Sequence, residues 1–310
     1  MSKSTHRRLL LAAVESTYGT FATIAGTDAL LVSNLDFQPL DPGLIDRELL
    51  RQYFGHTEKI VGQRVGMASF DVEIAGSGTA GTAPRWGRIL QCCGFGEAVV
   101  SSTVEYTPAM TNIKGVSLDF NNDGLRNRLR GCRGNATFNL AAGEIPKISF
   151  ELMGFYVDAA DEAQLTPTFG NQATPVICSG TNTTPVEVFG YASACMESFS
   201  LALNNEMPLK RLMGCTDQYQ ITNHLPSGDV VVELPTIAAK NYFAQLLDRS
   251  RGEISFQHGQ TAGNIVDITM EHSSISGPIT YNDSDGVQMA TIPYEAESTA
   301  ANNHLKIVVK

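Results

Sequence analysis

The stretch Ser117-Leu-Asp-Phe-Asn-Asn-Asp-Gly-Leu-Arg-Asn-Arg-Leu-Arg-Gly-Cys132 decides how this chain is read. It opens as a strand, passes a polar Asn-Asn turn and continues through a basic and apolar run to a glycine before the next strand. It aligns without gaps on Ser200-Leu-Ala-Leu-Asn-Asn-Glu-Met-Pro-Leu-Lys-Arg-Leu-Met-Gly-Cys215, and half of the sixteen positions are identical. A similar order of strands follows both copies, which favours two related β-rich units in one chain. A length of 310 residues suits two domains of ordinary size.

Outward from the repeat the dominant period is two. In Phe70-Asp71-Val72-Glu73-Ile74 apolar and acidic residues alternate strictly, as on a half-buried strand. Further strands are expected at 31–37, 103–106, 116–120, 136–140 and 148–155, and in the second half at 199–203, 218–222, 230–234, 253–257, 265–270 and 287–294. Pro84 and Gly94 bracket one short helix, and 237–247 reads as another. The fold class is therefore mainly β, two sandwich or barrel units each with one short flanking helix. Residues 1–29 read as an N-terminal arm with one helical turn near Leu9–Val14, 30–160 as the first unit, 161–195 as a Pro-, Thr- and Asn-rich linker or lone strand, and 196–310 as the second unit.

Between the first two strands, residues 41–62 form a segment too long for a passive hairpin loop. Leu44, Ile45, Leu49, Leu50, Tyr53 and Phe54 stand there among charges. Either part of it is a helix packed on its own sheet, or it reaches another subunit.

Composition excludes some functions. With 22 basic and 32 acidic residues the net charge is −10, unsuited to gripping phosphate backbones, which needs surplus Lys and Arg. Only 17% of residues are charged, below the usual quarter, a pattern suited to surface hidden in an assembly. The apolar run at Leu9–Val14 is too short for a signal peptide, and no stretch approaches the roughly 18 apolar residues of a membrane helix. The six cysteines, without C-x-x-C spacing, read as reduced and buried.

Candidate chemistry is sparse. Gly76-Ser-Gly-Thr-Ala-Gly81 matches G-x-G-x-x-G, but Pro84 interrupts the connection and no βαβ run follows, so it reads as a flexible connector rather than a dinucleotide site. Tyr281-Asn-Asp-Ser-Asp-Gly286 lacks the ligands of a calcium loop and reads as a turn. The six histidines show no metal-ligand spacing and no nucleophile elbow is present, so neither an enzyme nor a cofactor is expected. Arg126, Arg128, Arg130 and Arg133 form the one compact basic cluster, readable as a phosphate contact or, preferably in an acidic chain, as partners for carboxylates of an adjacent subunit. Asp71, Glu73, Glu151, Glu233, Asp267 and Glu271 recur on polar strand faces, which fits either an ordinary solvated face or a dedicated acidic one.

Several motifs in order resemble the siphophage type of phage tail tube protein. They are Glu15-Ser-Thr-Tyr-Gly-Thr, then Gly26-Thr-Asp-Ala29, then Ile74-Ala-Gly-Ser-Gly-Thr-Ala-Gly-Thr-Ala-Pro84 with Trp86-Gly-Arg-Ile-Leu-Gln-Cys-Cys-Gly-Phe95, and Leu129-Arg-Gly-Cys-Arg-Gly134. The resemblance spans roughly residues 9–155, and the second unit departs from the simplest family pattern. It implies a virion protein, assembled in the host bacterial cytoplasm, whose sheets join between subunits around a lumen. Partners so implied are further copies of the chain, with tape measure protein and phage DNA transiently in the lumen and tail terminator and distal tail proteins at the tube ends. By the same resemblance 41–62 would be the ring-stacking loop and the six carboxylates would face the bore. Two tube units per chain would let three chains form a pseudo-six-fold ring. The rivals are another virion β-protein, such as a terminator, contractile-tail tube or decoration protein, and a secreted carbohydrate-binding sandwich.

Overall fold

A computed structural model of the chain describes Ser4 and residues 6–310. The first half holds β1 (Arg8–Val14), β2 (Ala29–Leu30), β3 (Ser33–Asp46), β4 (Lys59–Glu73) and helix α1 (Gly87–Cys92). It continues with β5 (Phe95–Val100), β6 (Thr103–Pro108), β7 (Val116–Asn122), β8 (Leu125–Ala141) and β9 (Lys147–Asp161). The second half begins with β10 (Thr183–Val188) and β11 (Met196–Ala202). A ribbon follows, made of β12 (Asn205–Glu206), β13 (Leu209–Lys210), β14 (Gln218–Tyr219) and β15 (Asn223–His224), and then β16 (Ser227–Glu233) and helix α2 (Tyr242–Leu247). The chain ends with β17 (Gly252–His258), β18 (Val266–Ile275), β19 (Thr280–Ser284), β20 (Val287–Ala296) and β21 (Lys306–Val309). The protein is thus mainly β with two short helices, as its alternating sequence leads one to expect.

Pairing in the first half runs β1-β7-β8-β9-β4-β3, antiparallel throughout. The second half shows the same order, β10-β17-β18-β20-β16-β11, with β19 continuing from β18 along β20. In both, a helix follows the fifth strand of that order, β4 or β16. The β5–β6 hairpin is an insertion in the first half, and β21 joins it to β18.

The two halves meet edge to edge. Residues 137–141 of β8 pair with 198–202 of β11, so β3-β4-β9-β8-β11-β16-β20-β19 is one continuous eight-strand sheet. Alternation turns Phe70, Val72, Phe138, Phe150, Leu152, Phe199, Leu201, Val230, Val232 and Ile292 to one side, where all are buried. These belong to a single core cluster that also takes in Trp86 beside α1 and Tyr242 of α2. Phe199 lies at the junction, its ring 4.8 Å from Phe256 and 5.8 Å from Tyr294. Truncating such an aromatic to alanine costs about 3–5 kcal/mol.

The aligned segments of the repeat do not fold alike. In the first, Asp123 and Gly124 take φ of 48° and 88°, so Asn122 pairs with Leu125 and a tight hairpin returns β8 along β7. In the second, Glu206-Met207-Pro208 replaces that Asp-Gly pair, and no two-residue turn forms. The chain instead leaves β11 as the ribbon, Asn205 opposite His224 and Leu209 opposite Tyr219. The recurrent order of pairing, not this sequence match, relates the halves.

Other expectations also change. The helical turn near Leu9–Val14 is the strand β1, buried from Leu9 to Ala13 between β7 and β2. Of the expected arm, residues 1–3 and 5 lie outside the described residues. The segment 161–195 contains β10, which pairs with β17 as β1 pairs with β7. The helices are shorter than expected, starting at Gly87 and Tyr242. Gly76 is no flexible connector: a Cβ there would strike the Gly263 carbonyl, and its amide donates to Asn264 Oδ1 at 2.7 Å. Asp285-Gly286, with φ of 51° and 85°, closes the β19–β20 hairpin, so the turn expected over 281–286 is confined to these two residues and Tyr281 to Ser284 are strand. The cysteines are all free, but Cys195 and Cys215 are exposed rather than buried.

Candidate functional site

The eight-strand sheet has one face on the core and one face outward. Rows of small polar residues cross the outward face: Asp71 lies opposite Ser149, Ser149 opposite Thr137, and Thr137 opposite Ala202. The next rows place Ser69 beside Glu151 and Asn135, and Lys147 beside Asn139 and Ser200. On the second half, Asp229, Val231 and Glu233 alternate with buried Val230 and Val232, and Thr291, Pro293 and Glu295 face the same way. Short side chains leave this surface low.

Its charge is one-sided. Asp36, Asp71, Glu73, Glu151, Asp229, Glu233 and Glu295 stand on the face, against Lys147 as the single cation among these rows. Of the expected acidic set, Asp71, Glu73, Glu151 and Glu233 are therefore together. Asp267 and Glu271 are not, because they sit on β18 beyond the point where it meets β20. Asp267 is occupied by the Lys310 ammonium and does not join the acidic face. Alternation marks which residues point out, but not which layer they point out from. Asp36 and Asp229 were missed, and their positions on β3 and β16 would have revealed them.

Among the described residues both margins of this sheet are unpaired strands: β3 pairs only with β4, and β19 only with β20. Tyr281 of β19 lies on the core-side face, opposite Ala290, yet is 54% exposed.

Beyond the sheet, β3 and β4 continue as a hairpin whose tip spans residues 47–58. No helix forms there among the described residues, because Leu44 to Asp46 already pair with Lys59 to Val61 as strand. Leu44, Ile45, Leu49, Leu50, Tyr53 and Phe54 are all exposed, with Leu50 and Phe54 fully so, and Ile60 and Val61 extend the apolar surface. A cluster of this kind on a projecting tip marks a contact surface.

The four arginines all have partners within the chain. Arg126 clamps the buried carboxylate of Asp119 and that of Glu162, and the Asp119 hydrogen bonds hold its guanidinium above the usual range. Arg128 donates to the Asp158 carbonyl at 3.1 Å, and Arg130 to the Gly19 carbonyl at 2.6 Å. Arg133 is buried, donates to the Tyr219 and Ile113 carbonyls, and stacks 4.1 Å over the Tyr18 ring. Burial pushes the Tyr18 hydroxyl up to about 12, though Arg133 opposes the shift, so it stays a donor to Gly131. These contacts tie the ribbon, through Tyr219, to the first half.

A second buried polar pair joins the ribbon to the C-terminal segment. His224 Nδ1 and His304 Nε2 are 2.8 Å apart, and Phe95 meets His224 edge-on at 5.8 Å. Burial, with His304 adding to it, lowers His224 to about 3, so the pair is neutral at ordinary pH. It borders a cavity of about 530 Å³ lined by Met110, Ile113, Asn205 and Ile221. Among the described residues no three ligands gather as a metal site, and no helix is long and apolar enough to cross a membrane.

The sheet thus combines two open edges, a polar face and a projecting apolar hairpin. No curated protein matches the chain. The family model described as phage tail tube protein matches residues 5–296, nearly the whole length. The chain belongs to the phage tail tube protein family.

Proposed function

We propose that the eight-strand sheet lines the bore of the tail tube, its acidic face turned to the passing DNA. The observation that carries this is the single continuous run of eight strands with a polar, anionic outward face and two open edges. Three chains supply 24 strands; at about 4.8 Å spacing and a tilt near 40° the backbone barrel is roughly 45–50 Å across. Two chains give roughly 32 Å, and side chains on both walls then leave too little room for a hydrated duplex. A ring of three, with two tube units per chain, is therefore the favoured assembly. The units run from residue 6 to about 165 and from about 175 to 310, a boundary suggested by β1 and β10 holding matching places.

Carboxylates on the wall repel phosphate within about 8 Å at physiological salt, which keeps DNA from adhering. The apolar tip at 47–58 stacks rings by burying Leu50 and Phe54 against the next ring. The tail is of the siphophage type, with tape measure protein in the bore before DNA and terminator and distal tail proteins at the ends. The test is charge reversal: phage tails built with Glu151→Lys and Glu295→Lys should assemble but eject DNA more slowly, most at low salt. Ejection at the unaltered rate at every salt concentration would remove the acidic-bore reading.

A further inference from the structure

The seam inside the chain and the open edges of the eight-strand sheet occupy matching places in the two halves. β8 holds β11 along residues 137–141. In the second half the place of that part of β8 is taken by β19, which pairs with β20 as β8 pairs with β9. In the first half the place of β11 is taken by β3, which pairs with β4 as β11 pairs with β16. The two strands that make the internal seam therefore have counterparts that make none. We infer that β19 of one copy pairs antiparallel with β3 of the next, in the register that β8 and β11 keep within the chain.

The register follows from the strands themselves. β4 and β16 both end on Val-Glu, at Val72-Glu73 and Val232-Glu233. Val72 lies opposite Ile148 and Val232 opposite Ala290, while Ile148 faces Phe138 and Ala290 faces Tyr281. Tyr281 thus stands where Phe138 stands. On the other side Phe199 pairs with Val230, and counting from Asp36 opposite Ser69 sets Leu35 in the place of Phe199 and Phe37 in that of Leu201. Inside the chain Leu201 pairs with Phe138 and Ser200 with Asn139. Between copies Phe37 then meets Tyr281, and Asp36 meets Asn282.

Burial supports the match. Leu201 and Phe138 are 0% exposed because each covers the other's flank, and Phe199 is 2% exposed. At the open edges Tyr281 is 54% exposed, and Leu35 and Phe37 are only half-buried. Core-side residues left bare on an unpaired strand are what a missing neighbour leaves behind. The occupant is a second copy of this chain, since its own other edge carries the complementary residues in the matching register. Head-to-tail pairing of unlike edges gives a ring where its rotation closes, and not a two-fold dimer.

This inference rests on the tube reading above, and the test separates the two. In a Cys195→Ser, Cys215→Ser background, Asp36→Cys with Asn282→Cys should form a disulfide between copies when assembled protein is oxidised, giving two- and three-chain species on a denaturing gel. Opposed strand positions lie within disulfide reach. Asp36→Cys with Thr280→Cys, shifted by two residues, should give at least fivefold less. In the unsubstituted protein, amide exchange at 34–38 and 280–284 should slow at least tenfold on assembly. Tubes that form without the cross-link, a shifted pair that links as well, or unchanged exchange would overturn the seam alone. Failure of the unsubstituted protein to assemble would overturn both readings.

Discussion

Replacing Asn205 with leucine removes the side chain that binds the ribbon to the first half while nearly conserving its volume. Asn205 is 7% exposed, and its Nδ2 donates to the Cys93 carbonyl at 2.8 Å and the Gly134 carbonyl at 2.9 Å. Its own backbone amide donates to Asn135 Oδ1 at 2.6 Å, which the substitution preserves. Each buried carbonyl left without its donor costs about 1–3 kcal/mol. Against this, Asn205 Oδ1 is buried without a hydrogen-bond partner among the described residues, and its removal returns about 1 kcal/mol. The expected net loss is about 1–5 kcal/mol, a large share of the roughly 5–15 kcal/mol that holds a typical domain. Urea unfolding of unassembled protein, followed by tyrosine and tryptophan fluorescence, should show the midpoint fall with little change in slope. A change under about 0.5 kcal/mol would refute the claim that these two bonds tie the halves together.

Other predictions bear on assembly and pH. Leu50→Ser with Phe54→Ser should leave the melting temperature of unassembled protein unchanged, because both side chains are fully exposed, but should abolish growth of stacked rings in electron micrographs. His224 has a folded pKa lowered to about 3, so between pH 6.5 and about 3 the unfolded chain binds the extra proton. The neutral pair's contribution is complete above pH 6.5 and is lost as pH falls through that window. His224→Gln should flatten the acid limb of the stability profile relative to the wild type; an identical profile would place the acid sensitivity elsewhere. His304 shifts downward for the same reason, burial, and a His304→Gln profile should be flattened in the same range.

Much of the eight-strand sheet was legible in the sequence because its strands have one wet and one dry face. Phe70 to Ile74 and Val230 to Leu234 alternate as such strands must, and both helices announced themselves through Pro84, Gly94 and the run at 237–247. β1 escaped because Leu9 to Ala13 is buried on both faces and has no alternation to read. β19 escaped for the opposite reason: Thr280 to Asp283 is exposed on both faces of an edge whose neighbour is another copy in the account above. The pairing of Arg126 with Asp119 could not be read from the sequence, because Asp119 lies on β7, a strand buried on both faces. The hairpin 41–62 was found by its length and apolar tip, but its strands extend farther than its charges suggested.

The most direct measurement is a reconstruction of assembled tubes by electron microscopy at a resolution that separates strands. The account predicts three chains per ring with pseudo-six-fold density, a 24-strand inner barrel continuous through β19 and β3, and Glu151, Asp229 and Glu295 on the bore. True six-fold rings of six chains, or a bore lined by the β5-β6-β21-β18 layer instead, would contradict it.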